Sequence, residues 1–190
     1  LIGEDAGQSI LADQVLTNGT TAVGASALPD LTNGQQNTAI GYRACYEVST
    51  GEYNTTLGYN SLRSNTQGDG NTAIGVDALY DFSTTDGTGK NTSVGMQSLY
   101  ELTTGVDNTA LGYRAGFYAT TGTYNIFIGS QSGYGTSGNG LTGTENIGIG
   151  YKASYAIHTS ADYNVFIGGQ SGLASTTADG NTGVGRNSLR

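Results

Sequence analysis

The amino-acid sequence predicts an all-β fold, a parallel β-solenoid of about ten coils with roughly 17 residues in each. Three observations carry this prediction. The phrase Asn-Thr-x-aliphatic-Gly recurs along the whole chain, and its glycines stand 17 to 21 residues apart. Seventeen residues are too few for a repeat that is built from two helices. Glycine accounts for 32 of the 190 residues, and this composition disfavours helix.

The repeat glycine marks the end of one strand in each predicted coil, where a sharp turn and a positive φ are needed. The repeat glycines are Gly3, Gly24, Gly41, Gly58, Gly75, Gly95, Gly112, Gly129, Gly150, Gly168 and Gly185. The residue before each of them is always Ile, Leu or Val, as in Ile40, Leu57 and Ile74, and we call it the aliphatic column. The third residue after each glycine is always Ala or Ser. We expect each coil to contain two short strands and two turns.

The alternation of side chains along a strand predicts which residues share a face. The aliphatic column shares its face with the Thr column two residues earlier, which becomes Ile126, Ile147 and Val165 in three consecutive coils. This apolar drift predicts that both columns face the interior. The residues between them, such as Ala39 and Phe127, are then expected on the outer face, packed against another sheet or chain.

An Asn column precedes the strands, and it is predicted to be structural. Its members are Asn37, Asn54, Asn71, Asn91, Asn108, Asn125, Asn146, Asn164 and Asn181. We expect their amides to stack between coils and to cap the turn backbone. A ligand-binding role for this column is the alternative.

The repeat runs from end to end, so residues 1–190 are predicted to form a single repeat domain, a fragment of a longer fibre. The net charge is −8, and the seven Lys and Arg residues do not cluster, which argues against nucleic-acid binding. No apolar run is long enough to span a membrane. Cys45 stands where other coils have Leu62 or Leu79, which predicts a core residue.

No arrangement of residues predicts a catalytic, metal or cofactor site, and the protein is not expected to be an enzyme. His158 is the only histidine, so a histidine metal cluster has no second member. Acidic residues recur just before the Asn column, as at Asp69 and Asp162, and solvated turn acids are favoured over a calcium site.

The phrase N-T-A-I-G-x-x-A-L resembles repeats of bacteriophage tail fibres. It is also similar to the phrase S-V-A-I-G that recurs in the heads of trimeric autotransporter adhesins. The resemblance covers Leu1 to Arg190. It implies a left-handed β-roll, with three rolls side by side around a threefold axis. A two-walled coil buries little apolar area, which independently favours a homotrimer.

The leading interpretation is a structural and adhesive module of a trimeric fibre, extracellular on a virion tail fibre or a cell surface, that attaches to a host receptor or a glycan. Longer coils place extra residues in 4–20, 81–90 and 134–145, and we expect the last two segments to project and bind. The candidate binding residues are Tyr134, Ser137, Asn139, Asp81, Asp86 and Lys90. Rows of Tyr, such as Tyr42 with Tyr59 and Tyr113 with Tyr151, are expected to stack between coils or to bind sugar rings.

Two other functions stay open at this point. Thr arrays on a β-solenoid are typical of ice binding. Against it, the Thr column shares the face of the aliphatic column and is lost in three coils, and the insertions would interrupt a flat surface. A polysaccharide-degrading fibre similar to a tailspike would need two facing carboxylates, and no pair is marked.

Overall fold

A computed structural model of the chain describes residues 2–9, 19–138, 140–157, 160–174 and 179–189. Ten three-residue strands form one sheet, in which each strand pairs in parallel with the next strand of the chain. The strands are β1 (Thr21–Val23), β2 (Thr38–Ile40), β3 (Thr55–Leu57), β4 (Thr72–Ile74), β5 (Thr92–Val94), β6 (Thr109–Leu111), β7 (Ile126–Ile128), β8 (Ile147–Ile149), β9 (Val165–Ile167) and β10 (Thr182–Val184). Equivalent repeat positions pair, as Thr38 with Thr55 and Ile40 with Leu57. The predicted parallel β-solenoid is therefore confirmed.

Each coil of the described chain contains one regular strand, whereas the sequence analysis expected two. The second and fourth residues after the repeat glycine have a positive φ, which breaks a second strand; φ is 53° at both Arg43 and Cys45. The backbone amides nevertheless point along the stack. The N–H of Arg43 donates to the carbonyl of Ala25 in the preceding coil, and that of Cys45 donates to Ser61 in the following coil. Turns thus replace the second strand without loss of hydrogen bonds between coils.

The repeat glycine is required for two reasons. Its φ lies between 112° and 147° in every coil, a region that residues with a Cβ rarely adopt. A Cβ added at Gly58 would also overlap the backbone carbonyl of Gly75 in the next coil. The positive φ recurs at every repeat glycine and the overlap at all of them except the last, Gly185, which explains the unbroken glycine column.

The Asn column forms a ladder of amides beside strands β2 to β10, and it is buried from Asn37 to Asn164. The side-chain oxygen of Asn91 accepts hydrogen bonds from the backbone N–H of Asn108 at 3.0 Å and from its Nδ2 at 3.1 Å. Nδ2 of Asn108 also donates to the carbonyl oxygen of Gly122 in the next coil at 2.8 Å. The predicted amide stacking and turn capping are confirmed by these contacts.

The predicted orientation of the strands is wrong. The middle residue of each strand faces the interior, and the Thr and aliphatic columns face outward; Leu57 is 48% exposed, whereas Thr56 is buried. The inward residues are Ala22, Ala39, Thr56, Ala73, Ser93, Ala110, Phe127, Gly148, Phe166 and Gly183. The physical reason is space: opposite the strand, a turn residue such as Leu62 or Leu79 already fills the coil. The strand wall can then accept only a small side chain.

The volume of the core is shared between the inward strand residue and the fourth residue after the repeat glycine. Ala73 is combined with Leu79, whereas Phe127 is combined with Gly133 and Phe166 with Gly172. A Cβ added at Gly133 would overlap the Phe127 ring, and one at Gly172 would lie 2.5 Å from Cγ of Phe166. Each of these coils therefore holds one large side chain, from one wall or from the other.

Cys45 occupies the core position that the sequence predicts for it. It is fully buried, and its Sγ lies 3.3 Å from Oγ1 of Thr56. Burial raises the pKa of the Cys45 thiol to about 12, against a smaller opposing effect of the Thr56 hydrogen bond. The thiol is therefore a small apolar core group at neutral pH.

Candidate interaction surfaces

The outer face of the sheet is an apolar strip that no other part of the described chain covers. It is formed by the aliphatic column together with the Thr column, which includes Ile126, Ile147 and Val165. Ile40, Leu57 and Leu111 are between 37% and 48% exposed, although each has a strand on both sides. The strip crosses nine strand spacings, roughly 43 Å at about 4.8 Å each.

Exposed tyrosines border this strip on both sides. Tyr42 and Tyr59 directly follow the repeat glycine, and their rings stack with centroids 5.4 Å apart. Tyr53, Tyr124 and Tyr163 precede the Asn column and are 55% to 58% exposed. The apolar surface is therefore wider than the three-residue strands alone.

The segment 81–90 does not project as a free loop. Phe82 is buried in the core, and Thr84 donates through Oγ1 to the carbonyl of Thr88 at 2.9 Å. Asp86 lies at the exposed tip, where its carboxylate accepts from the N–H and the hydroxyl of Thr88. These hydrogen bonds lower the pKa of Asp86. The projection expected for this segment is limited to its tip, residues 85–88.

The other two candidate residues of this segment lie outside the tip. Asp81 is half-buried, and burial raises the pKa of its carboxyl against the opposing charge of Arg63. Lys90 is exposed, and its N–H donates to the carbonyl of Asp69.

The segment 134–145 is packed into the coil as well. Leu141 is fully buried in the core and Gly135 is buried, so the expected projecting loop is wrong for most of this segment. Ser137 is exposed at the tip beside Gly138, and Asn139 lies outside the described residues. Tyr134 is stacked between two other rings. The two inserted segments are three coils apart, roughly 14 Å, and they do not form one site.

The remaining candidate residues are His158, the insertion in 4–20 and the acidic residues of the turns. His158 and most of the insertion in 4–20 lie outside the described residues. Asp69 and Asp162 cap the backbone of the preceding coil, accepting from the N–H of Glu52 at 2.8 Å and of Thr144 at 2.7 Å. In the described part of the chain, no three His, Cys, Asp or Glu residues are arranged to hold a metal ion.

A row of stacked aromatic rings runs along the turn that follows the strands, and the sequence analysis missed it. Its rings are the fifth residues after the repeat glycines, and we call it the aromatic ladder: Tyr80, Tyr100, Phe117, Tyr134 and Tyr155. Successive centroids are 5.1 to 5.6 Å apart, with interplanar angles of 25° or less. The signal was present as aromatic residues at one repeat position in five consecutive coils.

Four of the seven cationic residues lie over rings of this turn. Arg43 lies over Tyr42 and Tyr46, and Arg63 over Tyr46 and Tyr80. Arg114 lies over Tyr113 and Phe117, and Lys152 over Tyr151 and Tyr155, at 4.8 to 5.4 Å from the ring centroids. Among the described residues, only Arg63 forms an ion pair, with Glu47 at 3.2 Å.

Comparisons with known proteins find no relative of this chain. No protein-family model matches it, and searches of curated proteins and of solved structures return no significant match. The described part of the chain contains no helix that is both long and apolar enough to cross a membrane.

Proposed function

We propose that this chain is a structural and adhesive module of a trimeric fibre. The observation that carries the proposal is the uncovered apolar strip on the outer face of the sheet. Ile40, Leu57 and Leu111 expose a large part of their side chains there. The strip has an area on the order of 500 Å², near the upper limit for the largest apolar patch of a typical monomer. A surface of this size and continuity favours burial against a partner.

The partner that fits best is another copy of the same chain. Apolar side chains recur on the strip once per coil, in unbroken register from β1 to β10. A partner that interdigitates along the full length must therefore carry the same repeat. A second copy in parallel orientation meets this condition at every coil, because its strip has an identical period. Association of this kind also thickens the narrow core that each coil provides.

The number of copies and the biological setting come from the resemblance to adhesin heads and tail fibres. Three rolls around a threefold axis bring three strips together at the centre, where each strip contacts two neighbours. Such an assembly is a rigid rod that suits a stalk or head of a virion tail fibre or a surface adhesin. Its place is extracellular, and its outward sides are free to attach to a receptor or a glycan.

Substitution on the strip tests this proposal. Leu57→Asp places a charge at a position that is 48% exposed in one chain, so folding of the chain should tolerate it. In the trimer, the same carboxylate is buried without a partner, which costs several kcal/mol. Light scattering should then find trimers for the wild type and smaller species for the variant. Thr104→Asp, which adds the same charge at an exposed turn position, is the control and should leave the trimer intact.

Ice binding is the second candidate, and the same face supports it. The Thr column points outward on a parallel sheet, and the insertions leave the register of the strands unbroken. One objection from the sequence, an interrupted surface, therefore does not hold. Another stands, because the Thr column shares its outward face with the aliphatic column. The loss of Thr at Ile126, Ile147 and Val165 still counts against it.

The two candidates use one surface in opposite ways, because ice binding needs the strip exposed and the trimer buries it. A monomer with thermal hysteresis that Thr72→Tyr abolishes would favour ice binding. A trimer without thermal hysteresis would favour the fibre module.

A further inference from the structure

We number each coil after the strand that begins it, so that coil 6 begins with β6. We infer that the turn face of coils 6 to 8 is a binding site for a carboxylated polysaccharide that lies along the rod. We define this surface, the aromatic–cationic strip, by Arg114, Phe117, Tyr118, Tyr134, Lys152 and Tyr155. This inference specifies the ligand for the glycan attachment in the proposed function, and it rests on that part of the proposal. It does not rest on the trimer, because a single chain forms the whole strip.

The charge of the strip is opposite to that of the chain. The chain carries 15 acidic residues and a net charge of −8. No acidic residue occurs from residue 108 to residue 144 or from 146 to 161, and this stretch supplies the turn face of three coils. Arg114 and Lys152 are its cations, and neither pairs with a described carboxylate. Their charges are therefore available to an anionic ligand.

The cations are held in place by the rings rather than by acids. Arg114 lies 5.1 Å from the centroid of Tyr113 and 5.2 Å from that of Phe117, and its Nε donates to Oε1 of Gln97 at 2.8 Å. Nζ of Lys152 lies 4.8 Å from the centroid of Tyr155. A cation that is positioned in this way loses less side-chain freedom when it binds an anion. The two cations stand two coils apart, roughly 10 Å along the rod.

The rings of the strip offer an apolar surface parallel to the rod. Phe117 and Tyr134 stack on each other within the ladder, so their faces are covered. Tyr118 is nearly perpendicular to both, at 78° and 81°, with centroid distances of 4.7 and 5.2 Å. At these distances one face of Tyr118 covers the edges of the two rings. Its opposite face points away from the ladder, and the plane of the ring is parallel to the rod, the direction in which a polymer would run.

Both features together favour a carboxylated sugar polymer over other polyanions. Two cations per three coils are too sparse to neutralise the closely spaced phosphates of a nucleic acid. Sugar rings carry apolar C–H faces that pack on aromatic rings, and carboxylates bind Arg and Lys through charge-assisted hydrogen bonds. The strip ends where the acids begin, at Glu101 in coil 5, whose N–H donates to the carbonyl of Phe117.

Binding of the whole protein to immobilised polygalacturonate tests the inference, with uncharged dextran as the reference polymer. The variant Arg114→Gln/Lys152→Gln should lose at least about tenfold in affinity, because two charge-assisted contacts are removed. Tyr118→Leu should weaken binding as well. Wild-type binding should fall as salt is raised.

Arg43→Gln is the matched control, because Arg43 occupies the same repeat position and also lies over two rings, Tyr42 and Tyr46. It should bind polygalacturonate as the wild type does. Equal affinity of the control and the double variant would overturn the inference, and so would equal affinity of the wild type for dextran, or no binding to polygalacturonate. Circular dichroism of each variant checks that it is folded.

Light scattering on the same samples separates the inference from the proposed assembly. A monomer that binds polygalacturonate through Arg114 and Lys152 supports binding at the aromatic–cationic strip and contradicts the proposed trimer. A trimer that does not bind polygalacturonate contradicts binding at the aromatic–cationic strip and supports the proposed assembly.

Discussion

Coils 2 to 6 and coils 7 to 9 solve the same packing problem with different residues. In the first region, the strand contributes a small inward residue such as Ala73, and the turn contributes Leu79. In the second, the strand contributes Phe127 or Phe166, and the turn is reduced to Gly133 or Gly172. The outer face changes at the same boundary, from Thr to Ile or Val. In coils 7 and 9 the inward change keeps one large side chain, whereas coils 6 and 8 have none at these two positions, which hold Ala110 with Gly116 and Gly148 with Ser154. Nothing inside the chain requires the outward change.

This comparison indicates that the inward and outward faces of each strand are subject to different packing constraints. Inside, a coil has room for no more than one large side chain at these two positions, and its source is free to vary between the walls. Outside, the drift toward Ile126, Ile147 and Val165 adds apolar surface where a single chain would be expected to keep Thr. Burial against other chains gives a reason for that drift.

The largest expected effect comes from exchanging the two core arrangements. Phe127→Ala should destabilise the protein by about 3–5 kcal/mol, because it leaves a cavity. Gly133→Leu alone should also destabilise it, since the new side chain overlaps the Phe127 ring. The double variant should be more stable than either single variant, because Leu62 and Leu99 adopt the same positive φ at this position.

Urea denaturation of all four proteins at one concentration measures this coupling. Additive free energies of unfolding would mean that the two walls do not share one volume.

The Asn ladder should be equally important in both regions, since Asn108 and Asn146 make equivalent contacts. Asn108→Ala in the first region and Asn146→Ala in the second each remove the acceptor of the next Asn and the donor to a turn carbonyl. Leaving these buried groups unpaired should cost roughly 2–4 kcal/mol in both variants. Thermal unfolding followed by circular dichroism compares them. A difference of more than about 1 kcal/mol would show that the regions differ beyond their large side chains.

The smallest effect is expected from exchanging the outer residues. Thr55→Ile should strengthen self-association, and Ile147→Thr should weaken it, each by about 1 kcal/mol per chain from the change in apolar area. Folding of the single chain should change little, because both positions are on the outer face. Sedimentation equilibrium measures the association constants. Shifts in the same direction, or none, would mean that the outer face is not the interface.

The sequence was sufficient to predict the parallel solenoid, the strand register and the Asn ladder. Each depends on residues that recur at fixed positions, such as the repeat glycine, the residue that best tolerates the backbone geometry required there. Those predictions needed no knowledge of how the coil closes.

The orientation of the strands was predicted wrongly, because an aliphatic column was assumed to mark the interior. The informative signal was the exchange of size between two columns, Ala73 with Leu79 against Phe127 with Gly133. That exchange indicates that these two positions face each other across the core. The prediction that the inserted segments project was wrong for a similar reason. Leu141 lies within an insertion, but it is an apolar residue that the coil buries.

The native mass of the wild-type protein tests the central claim most directly. We predict that light scattering at micromolar concentration gives three times the 19.4 kDa mass of the chain, and that Leu57→Asp gives smaller species. A wild-type monomer over a wide concentration range would contradict the account, because the apolar strip would then face water in the native protein.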